Sequence, residues 1–470
     1  MKAKLSLLIT TLILLTGCPQ PSANSPEDKP PHSLQAETSE VSDRQIDLFL
    51  SLLEFQLEST TDQSIQLIEE QWQPAFIPMI LEIFHFIRQE DIRQQLLDVL
   101  GDKTGQSFGY DTNRWFAWLW NQKEARSPGY DNFKALFYRV IDSRFETYFK
   151  DRGDSAQIRL DEVRWGGVRQ DGIPPLREPL MISADEADYL ADDNIVFGIE
   201  VNGDVRAYPK RILAWHEMFV DTVGGTPVAG VYCTLCGTVI LYETEFAGIN
   251  HALGTSGFLY RSNKLMYDQA TQSMWNTIKG EPVLGPLVGK GIALKHQSVV
   301  TTSWGEWKSR HPQTKVLSLD TGHQRDYGEG VAYQEYFATD RLMFNTPFND
   351  RRLKNKQEVL ALRFPAHPKE QLAIDTDFLR QNPIYTDKIG LQSFVVLTDT
   401  TGANRVYEDK GHVFANYDGQ SKLTDEKGIS WTLSENRLES AHGEVLNRLP
   451  YHRAFWFGWH ATYPDTRLVK

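Results

Sequence analysis

The sequence predicts an α+β protein with a helical front and a β-rich body, and three observations carry the prediction. Apolar residues recur at helical spacing from Gln45 to about Asn121 and again from Phe133 to Phe149. After about Ser155 the pattern changes to period-2 patches separated by glycine turns. The β-rich part also contains a shifted copy of itself. The chain has 470 residues with 12 Trp, 24 Phe and 18 Tyr, enough apolar mass for two or three cored domains. Its 62 acidic against 49 basic side chains give a net charge of −13, which excludes a general nucleic-acid binder because phosphate contacts need a cationic surface. Three cysteines exclude a disulfide-built scaffold.

Residues 1–18 are an address. Met1-Lys2-Ala3-Lys4 is a basic start, Leu5 to Leu15 an apolar run too short to span a bilayer, and Leu15-Thr16-Gly17-Cys18 resembles a bacterial lipobox. The resemblance implies cleavage before Cys18 and diacylglycerol on its sulfur. The expectation is a lipid-anchored protein of the cell envelope, outside the cytoplasmic membrane on the periplasmic side, with the membrane as its first partner. Residues 19–44 are rich in Pro, Ser, Glu and Asp and read as a flexible tether.

Residues 45–150 form the helical region. Ile46, Leu53, Ile65, Ile68, the run Phe76 to Ile87, Leu96 and Leu100 mark buried faces. Pro74 and Pro78 mark helix starts, and Gly105 a helix end. The Trp72-x-Pro74-Ala75-x-Ile77-Pro78 entry resembles HEAT-type repeats, and a generic bundle is the alternative. Either way the region carries no chemistry and serves as a covering element or as a docking face for a protein partner.

The β-rich body divides into residues 156–320, a loop-rich connection at 321–354, and residues 355–470. In the first half, Ile195 to Val201, the Asn202-Gly203 turn and Val205 to Tyr208 read as a hairpin. Val228 to Tyr232 and Val239 to Tyr242 read as strands around a Cys turn, and Phe258 to Tyr267 as one more strand. Gly254-Thr255-Ser256-Gly257 reads as a turn. The internal copy rests on Gly291, Leu294, Trp304, Trp307, Pro312 and Thr314, which reappear 152 positions later as Gly443, Leu446, Trp456, Trp459, Pro464 and Thr466. With looser shifts, Val196–Val201 matches Val359–Phe364, and Asp268 with Trp275 matches Asp425 with Trp431.

The sharpest chemical feature is Tyr232-Cys233-Thr234-Leu235-Cys236-Gly237-Thr238. Cys-x-x-Cys sets two sulfurs on one side of a tight turn, where they chelate a metal or form an exchangeable disulfide. With flanking strands it resembles the knuckle of rubredoxin or a zinc ribbon, but no second Cys pair exists. A metal site must then recruit His216, with Met266 as a weak axial ligand; thiolate, imidazole and thioether suit copper, with zinc as the fallback. His251 is read as a core group. A shift of 165 places Cys233–Gly237 on Thr398–Gly402 and His216 on Gln381. If Asp268 matches Asp425, Met266 falls on Leu423. The second half keeps the glycine and loses the ligands, which favours a chemical over a folding role for them. The alternatives are thiol–disulfide exchange, with Cys233 attacking and Cys236 resolving, and a non-catalytic assembly module whose Cys pair is an inert disulfide.

Asp161-Glu-Val-Arg-Trp-Gly-Gly-Val168, Asp171-Gly-Ile-Pro-Pro-Leu176, Gly203-Asp-Val-Arg-Ala-Tyr-Pro209, Trp215-His216-Glu217, Asp221-Thr-Val-Gly-Gly225, the Cys motif and Leu265-Met266-Tyr267-Asp268 together resemble the bacterial and archaeal domain of unknown function 3179. The likeness runs from about residue 156 to 365 and on toward the C-terminus. It implies an envelope protein and imports no activity.

Overall fold

Ser42 opens the described fold with a reciprocal cap: its hydroxyl accepts from the Gln45 backbone while the Gln45 side chain accepts from the Ser42 backbone. The computed structural model describes residues 40–53, 58–122 and 128–470. The expected leader, lipobox Cys18 and most of the tether lie outside the described residues. From Ser42 the chain runs through helices Asp43–Ser51, Glu58–Glu70, Phe76–Ile83, Glu90–Thr104 and Thr112–Trp120. Gly105, at φ +69°, ends the fourth of these as expected. The helix expected over Phe133–Phe149 is broken. It spans Tyr130–Arg139, and the Asp142 side chain then caps a new short turn leading into Glu146–Phe149. Val140 and Ile141 are poor helix formers, and Asp142 competes for backbone donors, so the break is local chemistry.

The helices share a core with the β-rich body instead of standing apart from it. Phe258 is met by the rings of Tyr138, Phe145 and Phe149 at 4.8 to 5.1 Å. Lys134, fully buried, donates to Glu82 at 2.6 Å and to the Val163 carbonyl at 2.8 Å, tying two helices to the first strand. That strand, Val163–Trp165, edges an antiparallel sheet continued by Leu253–Tyr260, Asn263–Asp268, Met274–Asn276 and Glu281–Leu284. The single strand expected at Phe258–Tyr267 is thus a hairpin, turned at Arg261 and Ser262, both at positive φ. Gly254–Gly257 is not a loop turn. It lies inside Leu253–Tyr260, where the pairing shifts between Thr255 and Leu259 and Gly257 takes φ +86°.

Two other sheets have matching strand orders. In the first, Val300–Ser303, Ile195–Val201 and Asp204–Pro209 pair antiparallel in that order, and Lys315–Leu317 adds parallel to the last. In the second, His452–Phe455, Glu358–Arg363 and Gln371–Asp375 pair antiparallel, and Arg467–Val469 adds parallel. Each final strand follows a short helix, Trp304–Arg310 or Trp456–Thr462, whose buried tryptophan donates to a threonine at 3.0 Å: Trp307 to Thr314 and Trp459 to Thr466. The Asn202-Gly203 turn has both residues at positive φ, as the sequence predicts.

The second set joins a nine-stranded sheet that also contains the Cys hairpin. Met218–Val223, Thr226–Cys233 and Thr238–Glu243 form an antiparallel meander. His452–Phe455 packs beside Thr238–Glu243, with Arg453 opposite Val239. All described residues belong to one compact unit.

Replacing Lys134 by Met leaves the Glu82 carboxylate buried without its cation. It should lower unfolding stability by about 3 kcal/mol. Urea unfolding followed by helix and tryptophan signals should shift as one transition, because helices and sheet share this core. Separate transitions would show that the helical region folds alone.

Candidate functional site

The Cys turn is built by its flanking strands. Thr226–Cys233 delivers Cys233 at its last residue, Thr238–Glu243 leaves at Thr238, and Cys233 pairs with Thr238. Gly237 closes the turn at φ +58°. A Cβ there would lie 2.7 Å from the Phe455 ring, so both conformation and space require glycine. Cys233 and Cys236 are disulfide-bonded, with Cα atoms 5.5 Å apart. Both are buried, at 2% and 0% exposure.

Beside them is a cavity of about 70 Å³ whose wall includes Cys233, Glu217, Lys264, Tyr333 and Leu235. One water occupies about 30 Å³ of liquid, so the space admits the tip of a side chain. Lys264 sits in Asn263–Asp268, every residue of which is buried. Its ammonium lies 3.2 Å from Glu217 Oε2 and donates to the Glu217 carbonyl at 3.1 Å. Glu217 Oε1 accepts from the Thr234 hydroxyl at 2.6 Å and the Tyr333 hydroxyl at 3.1 Å. Glu217 holds this pose because it caps the helix Lys210–His216 in the left-handed region, at φ +55°. Burial lowers the pKa of Lys264, and the Glu217 charge opposes that shift. Burial raises the pKa of Tyr333, with Glu217 adding to it. The result is a carboxylate–ammonium–phenol cluster, its ion pair buried, that lines the same cavity as Cys233.

The connection at 321–354 covers this site, and its single described helix is Gln334–Phe337. Tyr333 reaches Glu217, Tyr336 donates to the Leu235 carbonyl at 2.7 Å, and the Phe344 carbonyl accepts from Ser262 at 2.9 Å.

The other expected ligands point elsewhere. His216 is fully buried; its Nδ1 donates to the Pro174 carbonyl at 2.8 Å, and its Nε2 accepts from the Tyr327 hydroxyl at 2.5 Å. Burial first, then His323 and Arg325, lowers its pKa to about 4 against the Pro174 bond, so the ring is neutral. Met266 lies opposite Trp275 in the sheet and packs in the core with it. His251 is bonded to Asp268 at 3.0 Å, in keeping with a core role. Among the described residues no three His, Cys, Asp or Glu side chains are grouped to hold one ion. In this structure the two sulfurs are joined to each other, His216 is bonded to Pro174 and Tyr327, and Met266 packs with Trp275.

Sequence reasoning missed Glu217, Lys264, Thr234 and Tyr333. Glu217 stood beside His216 in a motif already noticed. Lys264, a cation in a strand of otherwise core character, was the detectable signal. Tyr333 lay in a stretch without periodicity and gave none.

This arrangement defines a class: an α+β protein with a buried Cys-x-x-Cys hairpin, backed by a second sheet and faced by an internal ion pair. The chain belongs to the family described as protein of unknown function DUF3179, whose profile matches residues 170–466. Comparison with curated proteins and with solved structures gives no match.

Protonating His216 breaks its bond from Tyr327 and places a charge in a dry site. Its folded pKa lies near 4, below the ordinary value of about 6.5. The neutral ring's contribution is therefore complete above pH 6.5 and declines as pH falls toward 4. Wild type should lose on the order of 2 kcal/mol more than His216→Gln across that window, allowing for partial solvent screening. Denaturant midpoints at several pH values measure this; parallel curves would refute it.

Proposed function

We propose that Cys233 and Cys236 form a redox-active pair that exchanges with dithiols or disulfides of a partner in the cell envelope. The observation that carries this is the shared cavity, in which Cys233 and the buried Lys264–Glu217 pair line one wall. A substrate thiolate attacks Cys233 Sγ, forming a mixed disulfide and releasing the Cys236 thiolate, which takes up a proton. The second substrate thiol, having lost its proton, attacks the substrate's first sulfur in the mixed disulfide, forming the substrate disulfide and breaking the bond to Cys233 Sγ, which leaves as thiolate. The protein disulfide is reduced to two thiols while the substrate dithiol becomes a disulfide. The reverse run reduces a substrate disulfide, and the relative potentials set the direction.

Lys264 stabilises the Cys233 thiolate as it leaves, since a neighbouring ammonium lowers a thiol's pKa. Glu217 holds Lys264 in place, and Tyr333 in turn donates to Glu217. Cys236 is the resolver because Cys233 lines the cavity wall while Cys236 packs behind it. The lipid anchor at Cys18 would keep the site outside the cytoplasm, where such exchange operates. A metal role would first require reduction of the pair and release of His216 from Tyr327.

We also read the two β-rich halves as copies of one unit. The matching strand orders and Trp–Thr bonds support this, as do equivalent positions. Met266 lies opposite Trp275 as Leu423 lies opposite Trp431, and His216 and Gln381 each end a helix.

In the folded protein the pair should titrate reversibly against glutathione as a two-electron couple. After challenge with an aromatic disulfide, Cys236→Ser should retain one mixed disulfide, on Cys233, that wild type resolves. Lys264→Met should raise the pH midpoint of Cys233 alkylation by about one unit. A pair that thiols cannot open without unfolding, or one soft metal per chain lost in Cys233→Ser, would overturn the exchange reading.

A further inference from the structure

A second and larger cavity, of about 820 Å³, lies away from the Cys turn between the two β-rich halves. Its volume is that of a small-molecule site. Arg363 forms part of its wall, at the end of the strand Glu358–Arg363. The guanidinium donates only to neutral oxygens, the Tyr242 hydroxyl at 3.1 Å and the Lys279 carbonyl at 3.4 Å. Its Nε is fully buried and has no partner. Among the described residues no carboxylate lies within ion-pair distance of Arg363, nor of Lys279 on the same wall.

A guanidinium stays charged under all ordinary conditions, and a charge withdrawn from water needs a counter-ion. No acidic group among the described residues around the cavity reaches ion-pair distance of Arg363; burial lowers its pKa, while Tyr242, Tyr463 and the more distant Glu281 raise it. Glu435 is committed to Arg405 and Arg448 at 2.8 and 3.1 Å, Glu200 accepts from Asn436 at 2.5 Å, and Glu281 sits exposed on the rim. His296, on the same wall, is held neutral by burial and by Arg363 itself, so it adds a hydrogen-bonding group and no negative charge. Leu294, Phe364 and Pro365 give the cavity apolar surface, which suits a carbon skeleton.

We propose that this cavity binds a small organic anion, a carboxylate or phosphate monoester, whose charged group lies against Arg363 and Lys279 and whose body lies on the apolar wall. With no carboxylate partner, the guanidinium keeps its capacity for a charge-assisted bond to such a group.

Calorimetric titration of the full chain with succinate and with phenyl phosphate tests this. One saturable site per chain is expected for at least one probe, and which of them binds tells carboxylate from phosphate. Arg363→Gln should weaken binding about tenfold or more, and Lys279→Gln should weaken it measurably. Cys233→Ser should leave it unchanged, so failure here is distinguishable from failure of the exchange chemistry. If Arg363→Gln does not fold, Lys279→Gln, whose ammonium makes no ion pair among the described residues, decides. No saturable binding of either probe, or unchanged affinity in the folded variants, overturns the proposal.

Discussion

The Phe455 amide donates to the Cys236 carbonyl at 2.8 Å, and the rest of the Cys site depends on that bond. It joins the strand His452–Phe455 of the second half to the turn of the first. Close packing reinforces it: a Cβ on Gly458 would come within 2.7 Å of Cys236 Cβ, and one on Gly237 would strike the Phe455 ring. The Asn263 amide, next to Lys264, donates to the Gly458 carbonyl at 3.1 Å. Cys236 is therefore fixed from behind by close-packed backbone, and Cys233 is the sulfur that lines the cavity.

The connection over the site completes the physics. Long segments without secondary structure are uncommon inside a folded body unless they serve a site. This one inserts Tyr333 and Tyr336 against the Cys turn and Tyr327 against His216. By excluding water it strengthens the attraction between Lys264 and Glu217, because charges interact more strongly at lower effective dielectric. It also makes the pair costly to break. His216 belongs to this scheme as a neutral support. Its ring bridges Pro174 and Tyr327 and so locks the covering segment to the helix that presents Glu217.

The sequence held the α+β class, the Cys hairpin, the Asn-Gly turn and the similar strand patterns of the two halves, because each rests on short-range periodicity or turn chemistry. The Arg261-Ser262 turn escaped because neither residue advertises positive φ, and two strands merged into one. The break after Arg139 escaped because Val140 and Ile141 continue an apolar face even as they weaken the helix. The site was legible only in its sulfurs. What surrounds them comes from Lys264, five strands further along the same half, and Tyr333, in an aperiodic connection, and no local pattern relates these to Cys233. His216 was singled out for standing in the same half as the Cys pair, yet the helix end that carries it turns Glu217 toward the cavity instead.

A comparison within the chain argues for chemistry at the Cys turn. The hairpin between Gln392–Thr398 and Asn404–Glu408 also turns through a positive-φ glycine, Gly402. There the turn is held by one carboxylate: Asp399 accepts from the Thr401 amide and hydroxyl and the Ala403 amide, and it pairs with the buried Arg405 at 2.8 Å. Ordinary side-chain capping thus suffices to shape such a turn in this fold. A disulfide spanning two intervening residues adds comparatively little, because the loop it closes is short. The Cys233–Cys236 pair is therefore a poor choice as a structural staple, and its place in one cavity with Lys264 suits the proposed exchange.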